Sequence, residues 1–178
     1  MIFIIPIEVK KRELLSRLYL TYNILKKKNN KVILSKSRMV LYETEKMKNV
    51  VYLDKSISTH KNKITEKILK KNFVSVIDEE GPLNNWPELF KEIRLPKNIF
   101  QKKNFLNYFV RNNIEKKILN IKKIKNLHKV KNLGHPKFEL LQRPIIKIFN
   151  DEVLDIKKKF KNFVLINSSF MKDSIIDF

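Results

Sequence analysis

The chain has no cysteine, which removes disulfides, thiolate metal sites and a cysteine nucleophile at one stroke. It has no alanine, and only two glycines, Gly81 and Gly134, in 178 residues; ordinary proteins carry roughly 7% glycine. The three histidines, His60, His128 and His135, are scattered and never fall in an H-x-x-x-H spacing, so no metal site is expected. No Walker A sequence, G-x-G-x-x-G or G-x-S-x-G is present, which leaves P-loop kinases, dinucleotide dehydrogenases and α/β-hydrolases poorly supported. Long apolar runs are missing too. The run that opens the chain is broken by Pro6 and Glu8 and is too short for a signal peptide. Nothing approaches the roughly 20 apolar residues of a membrane span, so a cytoplasmic protein is expected.

Acidic residues are scarce as well: 18 Asp and Glu against 39 Lys and Arg, a net charge of +21. Such a surface favours the inner face of an anionic membrane by about 1 kcal/mol per well-placed cation. It also invites a nucleic-acid reading, but 33 of the basic residues are Lys and six are Arg. With the missing alanine and the wealth of Lys, Asn, Ile and Phe, that is the mark of AT-rich coding. The lysines are spread over polar helix faces, and aromatic-flanked basic motifs of RNA-binding domains are absent. No nucleic-acid partner is expected.

What is present is enough apolar content, 43%, to bury a core. Ile2–Ile5, Val32–Leu34, Val50–Leu53 and Phe73–Ile77 read as buried strands. Between them lie a helix carrying Leu14, Leu15, Leu18, Tyr22 and Leu25, a weaker helix over Lys36–Lys48, and one marked by Ile64, Ile68 and Leu69. This β-α-β-α-β-α-β order implies a Rossmann-like α/β fold: a parallel sheet, right-handed crossovers, helices on both faces. Residues 82–97 read as loop with a short helical turn, Asn98–Phe100 as a fifth strand, 104–120 as helix, and the neighbourhood of Val130 as a short strand. A last helix is expected over 151–160 and a further strand at Phe163–Asn167. The division expected is an N-terminal lobe over 1–128, with 129–178 a linker and the start of an incomplete second α/β lobe.

Ligands of open parallel sheets bind beyond the carboxyl ends of the strands. Glu8, Lys10, Arg12 and Glu13 fall there after the first strand, Asp54, Lys55 and Ser56 after the third, Asp78–Gly81 after the fourth, and Ser168 and Ser169 after the last. The run Asp78-Glu79-Glu80 is the sharpest of these. Adjacent carboxylates repel, which raises the pKa of at least one, as a general base near neutral pH requires. Gly81 and Pro82 then force a turn. An acidic helix N-terminus explains the same residues equally well. His135, between Gly134 and Pro136, reads as a phosphate or sugar contact or, more simply, as part of a tight turn joining two lobes.

Taken in order, these motifs resemble the bacterial surface carbohydrate (polysaccharide) biosynthesis proteins. The matching pieces are Ile4–Glu13, Val51–Ser56, Ile77–Gly81, Val164–Phe170 and Gly134–Leu141, the last resembling the family's GNPRFDLL with His135 for Asn and Lys137 for Arg. A more distant resemblance is to bacterial sialyltransferases, with their acidic D/E-D/E-G motif. The resemblance implies a two-lobed, glycosyltransferase-like protein that moves a sugar from a nucleotide-sugar donor to a glycan acceptor, with no further cofactor. It implies Glu80 as the base, tuned by Glu79 and Asp78, and an acceptor site drawn from Glu8, Lys10, Arg12, Asp54, Gly81 and His135. His135-Pro136 matches the sialyltransferase His-Pro donor motif in letters, and the inter-lobe linker in position. Family members are longer, so the second lobe is expected to be truncated and the chain to be a fragment, inactive as it stands. The alternatives are a non-catalytic binding module whose second lobe comes from a partner chain, and a basic nucleic-acid-binding protein.

Overall fold

The computed structural model describes residues 1–58, 61–79, 98–121 and 126–164. The strands are β1 (Ile2–Ile7), β2 (Lys31–Lys36), β3 (Val50–Asp54), β4 (Phe73–Ile77), β5 (Phe105–Val110) and β6 (Val130–Asn132); the helices are α1 (Lys10–Leu25), α2 (Ser37–Lys46), α3 (Asn62–Leu69), α4 (Asn113–Ile121), α5 (Pro136–Glu139) and α6 (Asn150–Phe160). The six strands form one all-parallel sheet in the order β2-β1-β3-β4-β5-β6, a Rossmann-like α/β fold. Pro6 is tolerated inside this sheet because the β1–β3 pairing covers only Ile2 to Ile4 and asks no hydrogen bond of it.

Strand order reverses at β1. The chain steps one way from β1 to β2, then crosses back to β3 and continues through β6. Right-handed crossovers therefore place α1 on one face and α2 and α3 on the other. The cores differ accordingly. On the α2–α3 face, Ile4, Tyr52, Val74, Val76, Phe105 and Tyr108 pack against Val40, Ile68 and Phe100. On the other face Ile5, Val51 and Leu53 meet Leu20 and Ile24 of α1, and Phe3, Phe73 and Leu106 are only partly buried. A chain short of glycine needs another residue for left-handed backbone, and asparagine serves: Asn29, Asn49 and Asn126 have φ of 72°, 59° and 66°.

Two expectations are corrected. Ile99–Gln101 is a 3₁₀ turn, not a strand. The helix expected over 104–120 divides into β5 and α4, because Phe105 and Tyr108 lie on one face of a strand that carries a bulge: Val74 pairs with Phe105 but Val76 pairs with Tyr108. The extra residue lets a three-residue spacing stay on one side of the sheet. Phe163 and Val164 carry no regular structure, and 165–167 lie outside the described residues, as do 82–97, Ser168 and Ser169. The compact N-terminal unit runs Met1–Gln142, beyond 128, since β6 pairs with β5. In the second unit, Arg143–Phe178, a 3₁₀ turn (Ile145–Phe149) leads into α6 as expected. Among the described residues no helix is long and apolar enough to cross a membrane.

Candidate functional site

Four connections leave the carboxyl edge of the sheet with polar residues: Glu8 after β1, Asp54–Ser56 at the end of β3, Asp78–Glu79 after β4, and Gly134–His135 after β6. The first two flank the β1/β3 reversal, where diverging connections open a crevice. The backbone ties the edge together: the Glu79 amide donates to the Lys55 carbonyl at 3.1 Å, and the Asp78 amide to that of Phe109 at 3.4 Å.

Lys55 clamps two carboxylates. Its ammonium pairs with Glu8 and lies 3.4 Å from Glu13 Oε1. Glu13 Oε2 accepts the Glu8 amide at 2.7 Å, which satisfies a donor at the start of α1. The Lys55 hydrogen bond holds the Glu8 carboxyl below its usual range, against a smaller opposing effect of burial. Burial pulls Glu13 up, but the Glu8 amide and the Lys55 charge together outweigh it and leave it lowered.

Arg17, one helical turn beyond Glu13, is 1% exposed. Its Nη2 lies 2.7 Å from Glu79 Oε1 in a close ion contact without hydrogen-bond alignment, and its Nε has no hydrogen-bond partner among the described residues. On the same carboxylate oxygen, at 4.0 Å, converges Nε2 of His135. Gly134, at φ +77°, turns the chain so that buried His135 caps α5, its Nδ1 accepting the Lys137 amide at 3.1 Å. With Nδ1 an acceptor, the neutral ring carries its proton on Nε2. Burial, with the Arg17, Lys137 and Arg111 cations, pushes the His135 pKa down to about 4; Asp78 opposes them. The folded state thus refuses a proton that the unfolded chain accepts near pH 6.5. Stability is fully present above that pH and falls as pH drops to 4, by about 3 kcal/mol at most. Urea titrations of the wild type and His135→Asn across pH 4–7 check this; the variant, whose amide still caps a helix, loses that slope.

Asp78 accepts a hydrogen bond from the Tyr108 hydroxyl of β5. Asp54 is the buried carboxylate whose pKa is raised: burial outweighs Lys61 at 3.8 Å and the Lys55 and Ser56 amides. Burial, reinforced by Asp54, also pushes the Tyr52 hydroxyl up. Carboxyl and hydroxyl oxygens and cationic donors share one edge, which suits recognition of a polyhydroxylated ligand and proton removal from a hydroxyl. Among the described residues no group of three His, Asp or Glu is placed to hold a metal.

Of the residues singled out from sequence, Glu8, Asp54, Asp78, Glu79 and His135 come together. Lys10 and Arg12 are exposed at the margin of this group: Lys10 lines a cleft that also holds Glu8, and Arg12 meets Glu13 at 3.5 Å. Glu80 and Gly81 lie outside the described residues. Arg17 and Tyr108 were not foreseen. Arg17 had a signal: arginine is rare in this lysine-rich chain, and a buried partner for a carboxylate is where lysine serves poorly.

Compared with protein-family models, curated proteins and solved structures, the chain matches none.

Proposed function

We propose that this chain acts in surface polysaccharide biosynthesis as the acceptor-side lobe of a glycosyltransferase-like protein. The observation that supports the reading is convergence: four segments far apart in sequence bring Glu8, Asp54, Asp78, Glu79 and His135 to one edge of a parallel sheet, beside its topological reversal. Attack by an acceptor hydroxyl on a nucleotide sugar needs a base, groups that orient the hydroxyl, and a phosphate site. In this reading Glu80 is the base, Glu8 and Asp54 hold acceptor hydroxyls, and Arg17 fixes Glu79. A second lobe, from a longer chain or a partner chain, supplies the nucleotide-sugar site. The basic surface fits work at the cytoplasmic face of the inner membrane.

The test is sugar transfer from a panel of nucleotide sugars to surface-glycan acceptors, by the chain alone and with co-expressed candidates for the second lobe. Transfer that falls at least a hundredfold in Glu80→Gln supports the assignment. A full rate in Glu80→Gln removes the base, and no transfer under any of these conditions removes the enzymatic reading.

A further inference from the structure

In a parallel sheet the chain re-enters every strand at the amino edge, here the edge opposite the candidate site. The connections 26–31, 46–49, 70–72 and 102–104 arrive there with ten lysines, all exposed, and no Asp or Glu. Asparagines fasten these connections to their neighbours. The Asn72 side-chain amide donates to the Thr44 and Met47 carbonyls at 2.9 and 3.1 Å, and that of Asn104 to the Leu69 carbonyl at 2.9 Å. The Asn49 backbone amide donates to the Lys71 carbonyl at 3.0 Å. The helix dipole favours lysine in a last turn, but it does not explain why these lysines go unpaired. At the carboxyl edge Lys55, Lys61 and Arg111 each meet a carboxylate, of Glu8, Asp54 and Glu115. Of the ten at the amino edge only Lys46 does so among the described residues, with Glu43 at 2.9 Å. Lysine-rich coding would load both edges alike; the fold instead separates paired from unpaired charge. Apolar groups border the cationic face. Tyr22 and Leu25, in the last turns of α1, are exposed beside Lys26–Lys28. Met1 is exposed too, held at this edge by the Lys31 amide on its carbonyl at 2.9 Å.

We propose that the amino edge of the sheet docks on an anionic lipid bilayer, its lysines among the lipid phosphates and Met1, Tyr22 and Leu25 at the interface. Each lysine close to such a surface is worth about fivefold in binding, and exposed aromatic and aliphatic side chains beside lysines suit the headgroup level. Lipid is favoured over nucleic acid by the composition of the four connections. They hold no arginine, whose planar fork grips nucleic-acid phosphates, and no aromatic residue on which a base could stack. Docking by this edge turns Glu8, Asp54 and Asp78, at the opposite edge, away from the bilayer. The inference rests on the membrane association proposed above, for which it supplies the face, and takes nothing from sugar transfer, so the two fail separately.

The test is sedimentation of the full chain with vesicles of equal parts phosphatidylglycerol and phosphatidylcholine, and with vesicles of phosphatidylcholine alone. Binding is expected to the anionic vesicles only. Replacing Lys27, Lys28, Lys102 and Lys103 together by Gln should weaken it by about a hundredfold or more. Replacing Lys11, Lys36, Lys116 and Lys117, exposed elsewhere on the same unit, removes the same charge and should weaken it by less than about threefold, since salt screens charges far from the bilayer. Nanodiscs of the anionic mixture with a spin-labelled headgroup should broaden the amides of Lys28, Lys48, Lys71 and Lys103 and spare those of Glu8, Lys55 and Asp78. Absent binding, equal binding to the two vesicles, equal losses in the two variants, or broadening at the carboxyl-edge amides instead would overturn the proposal. RNA bound more tightly than the anionic vesicles, and released by the first variant, would overturn it in favour of a nucleic-acid face. None of these results bears on sugar transfer, which is read by the assay with Glu80→Gln.

Discussion

Arg17→Met lowers the unfolding free energy by about 3–5 kcal/mol, the cost of leaving one member of a buried ion pair alone. The Glu79 side chain is 8% exposed and the Arg17 side chain 2%, so water does not replace the lost guanidinium. His135 Nε2 stands 4.0 Å from Glu79 Oε1, and a neutral imidazole does not balance a carboxylate. At about 2–4 °C per kcal/mol for a chain of this size, the midpoint falls by roughly 10 °C. The double variant Arg17→Met, Glu79→Met recovers most of the loss, since two buried charges replaced together by apolar side chains cost little or nothing. Thermal melts of the wild type and the two variants check this. A single variant as stable as wild type would mean that Glu79 is hydrated and that the polar edge is looser than described.

Phe105→Ala and Leu106→Ala, neighbours in sequence, differ sharply. Phe105 is fully buried and meets Phe100 edge to face, with ring centroids 5.1 Å apart. Its truncation costs about 3–5 kcal/mol through lost transfer energy and the cavity left behind. Leu106 points to the opposite face of β5 and is only partly buried. Its truncation costs about 1–2 kcal/mol, below the range of a fully buried leucine. Chemical denaturation of both variants measures the gap. Equal losses would mean that both faces of β5 are equally covered.

That pair also locates what could be read without coordinates. The strands β1 to β4 announce themselves as short β-branched runs, and the α/β alternation between them dictates a parallel sheet. β5 is hidden because Phe105, Tyr108 and Phe109 stand at i, i+3 and i+4, which is helical spacing. The bulge between the Val74 and Val76 pairings is what allows a strand to carry it, and no local propensity reports a bulge. The site divides in the same way. Glu8, Asp54, Asp78 and Glu79 are legible because strand ends collect ligands in this fold. Arg17 is not, because it sits within a helix stripe and its partner lies across the sheet edge. The raised pKa of Asp54 carries no sequence signal, since its larger cause is burial, which only the fold reveals. His135 belongs both to the turn and to the edge: it caps α5 through Nδ1 and turns Nε2 towards Glu79.

Whether the carboxyl edge of the sheet receives a sugar acceptor is decided by titrating the full chain with a panel of neutral and acidic disaccharides and mapping amide shifts. Saturable shifts are expected at Glu8–Val9, Lys55–Ser56, Asp78–Glu79 and Gly134–His135 and nowhere else, weakened in Asp54→Asn. Shifts spread over the exposed lysines of α3 and α6, seen with acidic ligands alone and abolished by salt, would contradict this and mark a polyanion-binding surface instead.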